Sequence, residues 1–348
     1  MRLLVITQVM DRSDPALGFF VRWVEEFAKR IQKVEVLCLK KGNCSMPVHS
    51  LGKESRKQSG MKIVDRIVYM VRFFATLIRI RGNYDTVFVH MNEEYVLLAG
   101  LYWRLCGIPV YLWRNHYEGS WRTRLAVALS TKTFCTSAYS YTAQFKKTVI
   151  MPVGVDTESL HTDTPVERVA RSILFLARFD RSKKPHLLVE ALGKLKSEGV
   201  SFHATFVGGQ SDPTSGYQTE VANKAKELGI DTYCDFIGAV PNTETFRYYR
   251  ASLIYVNCAG SGMLDKTVFK AAAAGCLVAT SSLDIAKYVD KRCVFQDGNA
   301  DELKEVLKYI LAMSGDDKEK LRTQYVSLVE QNTLPVLMDK LVVEMNKA

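Results

Sequence analysis

Arg178 and Lys183 stand in LFLARFDRSKKPHLLVEAL (174–192), just past an apolar run and just before a segment of helical period. Further along, SGMLDKTVFKAAAAG (261–275) follows the same layout of strand, tight turn and helix. A helix start carries unpaired backbone N–H groups and the positive end of the helix dipole, so anionic groups settle there. Two such starts in one half of a chain, one with an Arg and a Lys beside it, suit a diphosphate held without a metal.

Those turns need a scaffold that ends several strands at one edge. Strand-like runs RLLVITQ (2–8), KVEVLCL (33–39), DTVFVH (85–90), IPVYLW (108–113) and TFCTS (133–137) alternate with helix-period segments. In GFFVRWVEEFAKRI (18–31), for example, Phe20, Trp23, Val24, Phe27 and Ile31 recur at helical spacing. The second half repeats the alternation with SILFLAR, FHATFVG, YCDFIG, LIYVNC and CLVATS. Such alternation predicts an α/β chain of two Rossmann-like, doubly wound domains facing across a cleft, with ligands at the carboxyl ends of the strands. The expected divisions are 1–160, 161–331 and a last helix in 332–348 that packs back on the first domain. The turn-rich stretch 151–169 serves as the hinge.

At 348 residues, 47% hydrophobic and 24% charged, the chain has ordinary globular composition and room for two cores. Its net charge of +10 is uneven. Residues 1–165 carry 23 Lys and Arg against 14 Asp and Glu, a net +9, which leaves +1 for the rest. The two halves should therefore meet different partners. Eight cysteines (38, 44, 106, 135, 234, 258, 276, 293) show no CxxC or Cys/His ligand spacing and read as reduced core thiols of a cytoplasmic protein. The opening LLVIT run is too short for a signal peptide, and no 18-residue uncharged apolar stretch predicts a transmembrane helix.

Taken in order, DPALGFFVRWVEEFAKR (14–30), HMNEEYVLLAGLYWRLCG (90–107), LWRNH (112–116), MPVGVD (151–156), ARFDRSKKP (177–185), FVGG (206–209), FIGAVPNTE (236–244) and AAAAGCLVATS (271–281) resemble the retaining GT-B glycosyltransferases of family 4. The resemblance spans nearly the whole chain. It implies a nucleotide-sugar donor bound mainly by the C-terminal domain, an acceptor bound mainly by the N-terminal one, and no metal or other cofactor. It places Arg178 and Lys183 as the clamp on the donor diphosphate, with Lys184 a competing ligand one residue on. Fixed cations there neutralise the leaving phosphate as the glycosidic bond breaks.

The same resemblance puts Gly18 where backbone approaches the donor phosphate, although a simple loop glycine reads the same way. His116 falls near the donor sugar, with His90, at another strand end, as the rival. Gly209, Gly238, Ala239 and Val240 fall in the turns lining the nucleotide. The departure lies in 261–275, where the family carries two Glu residues. Gly262 and Lys270 occupy those positions, flanked by Met263 and Leu264. Asp265 could supply a carboxylate to the sugar and Lys266 a cation at the helix start, whereas Lys270, with donors only, cannot accept from ribose hydroxyls.

The segment MKIVDRIVYMVRFFATLIRIR (61–81) carries Lys62, Arg66, Arg72, Arg79 and Arg81 against Asp65. On a helical wheel all but Arg81 share one polar stripe with Tyr69 and Thr76. The expectation is a helix whose opposite, apolar face packs on the first sheet. Its basic stripe then lies in solvent or against anionic lipid headgroups, which attract roughly 1 kcal/mol per Lys or Arg. No nucleic-acid-binding motif accompanies the charge.

These readings converge on a metal-independent glycosyltransferase moving a sugar to a glycan or lipid-linked acceptor in cell-surface polysaccharide assembly, at the cytoplasmic face of the inner membrane. The missing Glu pair keeps open a catalytically silent GT-B partner or binding subunit. Another GT-B enzyme, such as a nucleotide-sugar epimerase, is a third reading.

Overall fold

The computed structural model describes the chain except for Pro15, 55–61, 158–165, Ser211, Pro213, Met263 and Ala348, and except for the side chains of Lys62 and Thr243. It divides into two compact units, Met1–Met151 with Pro335–Ala348, and Pro152–Leu334. The chain thus changes unit before the turn-rich stretch ends, and residues 158–165 of the expected hinge lie outside the described ones.

The first unit is built on β1 (Arg2–Met10), β2 (Lys33–Lys41), β3 (His49–Ser50), β4 (Thr86–His90), β5 (Val110–Trp113), β6 (Lys132–Cys135) and β7 (Thr148–Ile150). All neighbours run parallel in the order β3-β2-β1-β4-β5-β6-β7. Two of these strands, β3 and β7, have no counterpart among the expected runs. They are two- and three-residue edge pieces without apolar alternation, formed because an adjacent strand offers open hydrogen bonds.

Strand alternation sends side chains to two faces. Leu4, Ile6, Val87, Val89 and Leu112 pack with α2 (Lys62–Arg79), α3 (Glu93–Leu105) and α4 (Trp121–Leu129). The other face meets α1 (Phe19–Arg30), where Phe27 lies edge-on to Phe88 and Trp23 to Trp113. The last helix, α12 (Leu334–Asn346), is also held to this unit: Tyr111 donates to the Met345 carbonyl at 2.7 Å, and Lys132 binds Glu344.

Helix α2 corrects the wheel drawn from sequence. The side chains it buries are Asp65, Phe73, Thr76 and Leu77, with Tyr69 half-buried beside them and Ile80 buried just past its end. Most of the expected inner face points outward instead, including Ile63, Ile67, Val71 and Ile78. Arg66, Arg72 and Arg79 are exposed as expected, but they flank an apolar stripe. The aromatic ring of Phe73 decides the rotation, because it packs on Tyr95 of α3 at 5.4 Å between centroids. No helix among the described residues is long and apolar enough to cross a membrane.

The second unit holds β8 (Ser172–Leu176), β9 (His203–Val207), β10 (Cys234–Gly238), β11 (Ile254–Asn257) and β12 (Leu277–Thr280), all parallel, in the order β10-β9-β8-β11-β12. β8, β11 and β12 are buried throughout, as strands covered on both faces must be. Helices α5 (Pro185–Ser197), α6 (Tyr217–Glu227), α7 (Thr245–Ala251), α8 (Lys266–Ala273), α9 (Leu283–Ala286), α10 (Ala300–Ala312) and α11 (Gly315–Glu330) cover it. From β8 the chain winds outward through β9 and β10, then crosses back to β11. The order therefore reverses between β8 and β11, the switch point at which doubly wound sheets bind ligands.

Asn332 ties this unit's entry to its exit. Its Oδ1 accepts from the Val153 N–H at 3.0 Å, its Nδ2 donates to the Leu328 carbonyl, and its own carbonyl accepts from Val155 N–H. Asn332→Ala leaves the Val153 donor buried and unsatisfied. We expect it to lower the stability of the second unit by about 1–3 kcal/mol in denaturant titration.

Candidate active site

Parallel strands place every strand-to-helix turn of the second unit at one edge. The turn after β8 runs from Ala177 to Lys184, closed by Lys183 N–H to the Asp180 carbonyl at 3.1 Å. Asp180 also accepts from the Ser182 backbone and hydroxyl. Lys184 adopts a left-handed φ of 49° as the cap of α5, and Pro185 supplies the preset φ of the first helical position. Arg178 projects outward, its side chain 59% exposed, with a long 3.8 Å approach to Asp180.

Across the switch point, the turn after β11 ends at Asp265, which caps α8. Its Oδ1 accepts from the Thr267 N–H and hydroxyl, at 3.2 and 2.7 Å. Its Oδ2 accepts from Lys183 Nζ at 2.6 Å, with the two side chains 11% and 14% exposed. The Tyr255 hydroxyl bonds Thr267 in turn at 2.6 Å, so a buried chain of hydrogen bonds runs from the β11 core to Lys183. Lys183 and Thr267 hold the Asp265 carboxyl below the usual range against the opposing effect of burial.

Asp265 is therefore engaged with Lys183 and its own helix, where the sequence offered it to the sugar. Lys184, the competing ligand, is bound to Asp297 at 2.5 and 2.6 Å. Neither Asp297 nor Asp284 is legible in the sequence. Asp284, buried on α9, accepts from the Gly262 N–H at 2.9 Å, and Ser261 accepts from the Leu283 N–H. Both acids follow later strands at no diagnostic spacing, and only the sheet order brings them to this turn.

Gly262 has a φ of +95°. A Glu at that position would strain this backbone, so the family's first carboxylate is replaced by a change of turn. Leu264 is half-buried beside it, and Met263 lies outside the described residues. Lys266 and Lys270, one turn apart on α8, both lie below the usual lysine range. Burial is the main cause for each, and Lys270 adds to it for Lys266. Asp156 and Asp265 partly offset the loss at Lys270.

The glycine turns make room for close backbone approach. A Cβ on Gly208, whose φ is +146°, would sit 1.9 Å from the Ala177 carbonyl oxygen. Gly209 accepts from the Phe179 N–H, the Gly238 carbonyl accepts from the Gly208 N–H, and Ala239 lies 3.0 Å from where a Gly209 Cβ would be. The turns after β8, β9 and β10 are thus laced together, with Val240 half-buried at the end of the row.

In the first unit, Gly18 caps α1, and a Cβ there would fall 2.6 Å from the carbonyls of Arg12 and Asp14. The close approach its smallness permits is to its own loop. His116 lies beyond the end of β5 at Trp113, in a loop and not on the strand end as expected. Its Nδ1 accepts from the Glu118 N–H at 3.0 Å, which leaves the ring proton on Nε2, and the ring stacks on Tyr117. His90, the rival, is a core residue at the end of β4, stacked on Phe20 at 3.8 Å and near the Thr7 hydroxyl.

With this geometry in view, residues 170–313 match the family of glycosyl transferases group 1. No curated protein matches the chain. Among solved structures, the chain is similar to HepE of Anabaena in complex with UDP and glucose, at a TM-score of 0.75 and 13% identity over all of both chains. It is similar to a glycosyltransferase from Rickettsia africae at 0.76 and 15%, covering 99% of this chain and 98% of that one. WaaG, a glycosyltransferase involved in lipopolysaccharide biosynthesis, gives 0.71 and 14%, covering 99% and 100%. The fold is GT-B, two parallel sheets flanked by helices.

The depressed lysines set a pH dependence. At neutral pH an unfolded Lys266 is charged, while the folded one resists charging. As pH rises towards 10.5 the folded state sheds its proton first, so the unfolded state binds more protons and stability climbs. Lys266→Met should remove its share of that climb, leaving the part due to Lys270, and stabilise the second unit at pH 7 by about 1–2 kcal/mol. Thermal melts of wild type and variant between pH 7 and 10 check both the sign and the reduction.

Proposed function

We propose that the chain is a retaining glycosyltransferase that binds a nucleoside-diphosphate sugar in its second unit without a metal. The observation that carries this reading is the joining of the Arg178–Lys183 turn to the α8 start, through Lys183 and Asp265 at 2.6 Å, at the switch point of a parallel sheet. The group 1 match over 170–313 covers the same turns. UDP and glucose bound to HepE support a nucleotide-sugar donor.

In this reading Arg178, exposed and loosely held, closes on the diphosphate, and Lys183, already oriented by Asp265, meets it from below. Gly209, Gly238 and Val240 line the nucleotide, and Gly262, Leu264 and Lys266 border the sugar and phosphate. The bond from the anomeric carbon to the phosphate oxygen breaks, and the acceptor oxygen bonds the same carbon. The acceptor proton passes to the departing phosphate. Preorganised cations lower the barrier by meeting charge where it develops. Asp265 acts as a positioning residue for Lys183. His116, with its proton on Nε2, donates to a sugar hydroxyl. Gly18 shapes the first loop.

The acceptor is a glycan or lipid-linked saccharide of a cell-surface polysaccharide, met by the basic first unit at the cytoplasmic face of a membrane. A second reading, a silent binding subunit, is favoured by the replacement of the family's two Glu positions by a strained-for-Glu Gly262 and by Lys270.

Calorimetry with UDP, GDP and ADP, alongside transfer assays with their sugars, separates the two. Arg178→Ala or Lys183→Ala should cut transfer by about 10²–10³. Asp265→Asn should lower turnover while nucleoside diphosphate binding persists, since the amide still caps α8 but no longer pairs with Lys183. Activity lost to EDTA and restored by Mg²⁺ would refute the metal-free clamp. Absence of binding to any nucleotide would favour the silent subunit.

A further inference from the structure

Eleven of the twenty-two exposed large apolar side chains among the described residues sit on three helices, α2, α3 and α4, which share one face of the first sheet. On each helix they form a stripe opposite the buried one. Ile63, Ile67, Val71 and Ile78 follow one another along α2, with Ile63 and Ile78 each 72% exposed. Leu98, Leu101 and Leu105 do so on α3, and Trp121 with Leu125 on α4, reaching 80% at Leu105 and 70% at Trp121. Single exposed apolar residues need no explanation, but aligned stripes on adjacent helices do.

The charges around the stripes have one sign. Arg66, Arg72, Arg79, Arg104, Arg122 and Arg124 are all exposed. Among the described residues of these helices, Glu94 is the exposed carboxylate. Asp65 is buried, and Glu93 is held by Arg114 at 2.8 Å and by the Thr123 hydroxyl. A second copy of the chain would set these arginines against one another with almost no acid to meet them. A surface of anionic headgroups over acyl chains answers both features.

We propose that the outer face of α2, α3 and α4 docks the chain on an anionic lipid surface, with its apolar stripes entering the headgroup boundary and its arginines binding lipid phosphate. The inference rests on the peripheral-membrane part of the function proposed above, and it replaces attraction of a basic stripe with insertion of an apolar one. Trp121 suits such a boundary, where indole rings concentrate. A docked face of this kind would present a lipid-linked acceptor to the first unit.

Trp121 also provides the test. Of the four tryptophans, Trp23, Trp103 and Trp113 are buried, so Trp121 alone should respond to lipid. On phosphatidylcholine vesicles containing phosphatidylglycerol, wild-type fluorescence should shift to the blue and be quenched by brominated acyl chains, and Trp121→Phe should abolish the response. High salt should weaken binding only in part, because screening acts on the arginines and not on the stripes. The combined change Ile67→Ser, Val71→Ser and Ile78→Ser should lower vesicle partitioning at least about tenfold, with melting temperature and UDP affinity unchanged. If that variant fails to fold, the wild-type quenching decides the question alone. Binding that salt abolishes completely, without quenching, would overturn apolar docking and leave simple charge attraction. No vesicle binding, together with a dimer that the Ser changes dissociate, would assign the face to a second copy instead. Loss of nucleotide binding in wild type would sink the enzyme reading without touching this one.

Discussion

Lys183 and Asp265 meet at the point where the second sheet reverses its strand order, and that contact ties the turn after β8 to the start of α8. One belongs to the turn after β8, the other to the turn after β11, and among the described residues no backbone hydrogen bond joins those turns. A pair this sheltered recovers little net free energy once desolvation is counted. Its effect is positional. Asp265 spends one oxygen on the α8 start and the other on Lys183, so the helix cap and the cation are set by the same carboxylate.

Helix α8 then carries an electrostatic tension. Its N-terminal end holds Asp265, which suits the helix dipole, and Lys266, which does not, while Lys270 lies in the last turn, where a cation is favoured. Burial lowers the affinity of both lysines for protons, so this helix resists positive charge along its length. In the function proposed above, the donor diphosphate would relieve that penalty by pairing with the protonated form. Val268, Phe269, Ala271 and Ala272 are the buried residues of the same helix. Gly275, at φ +81°, ends the helix cleanly: the Cys276 N–H reaches the Ala271 carbonyl and the Gly275 N–H reaches that of Ala272.

The first unit obeys the same sheet logic with a different surface. Its strands send Leu4, Ile6, Val87 and Leu112 to one layer of helices, and those helices have more apolar surface than the sheet can cover. An 18-residue helix such as α2 has room for one buried stripe, and Phe73 and Leu77 take it, continued by Ile80 just past the helix end. The remaining isoleucines and valines turn outward beside arginines. Charge asymmetry between the halves, visible in composition, thus coincides with an asymmetry in exposed apolar surface that composition does not reveal.

Strand–helix alternation, the parallel α/β class and the turns bearing Arg178, Lys183 and Asp265 were legible in the sequence because each rests on local period and on residue types confined to a short window. The edge strands β3 and β7 were not, since a neighbour's open hydrogen bonds, and no pattern of their own, make them strands. The partners of the site residues were equally hidden. Asp284 and Asp297 reach Gly262 and Lys184 only through the strand order, and His90 proved a core ring because Phe20 stacks on it. The rotation of α2 shows the limit most plainly. Its sequence offers more than one apolar face, and the choice among them belongs to the packing of Phe73 against Tyr95, a contact with the next helix that the period of α2 does not carry.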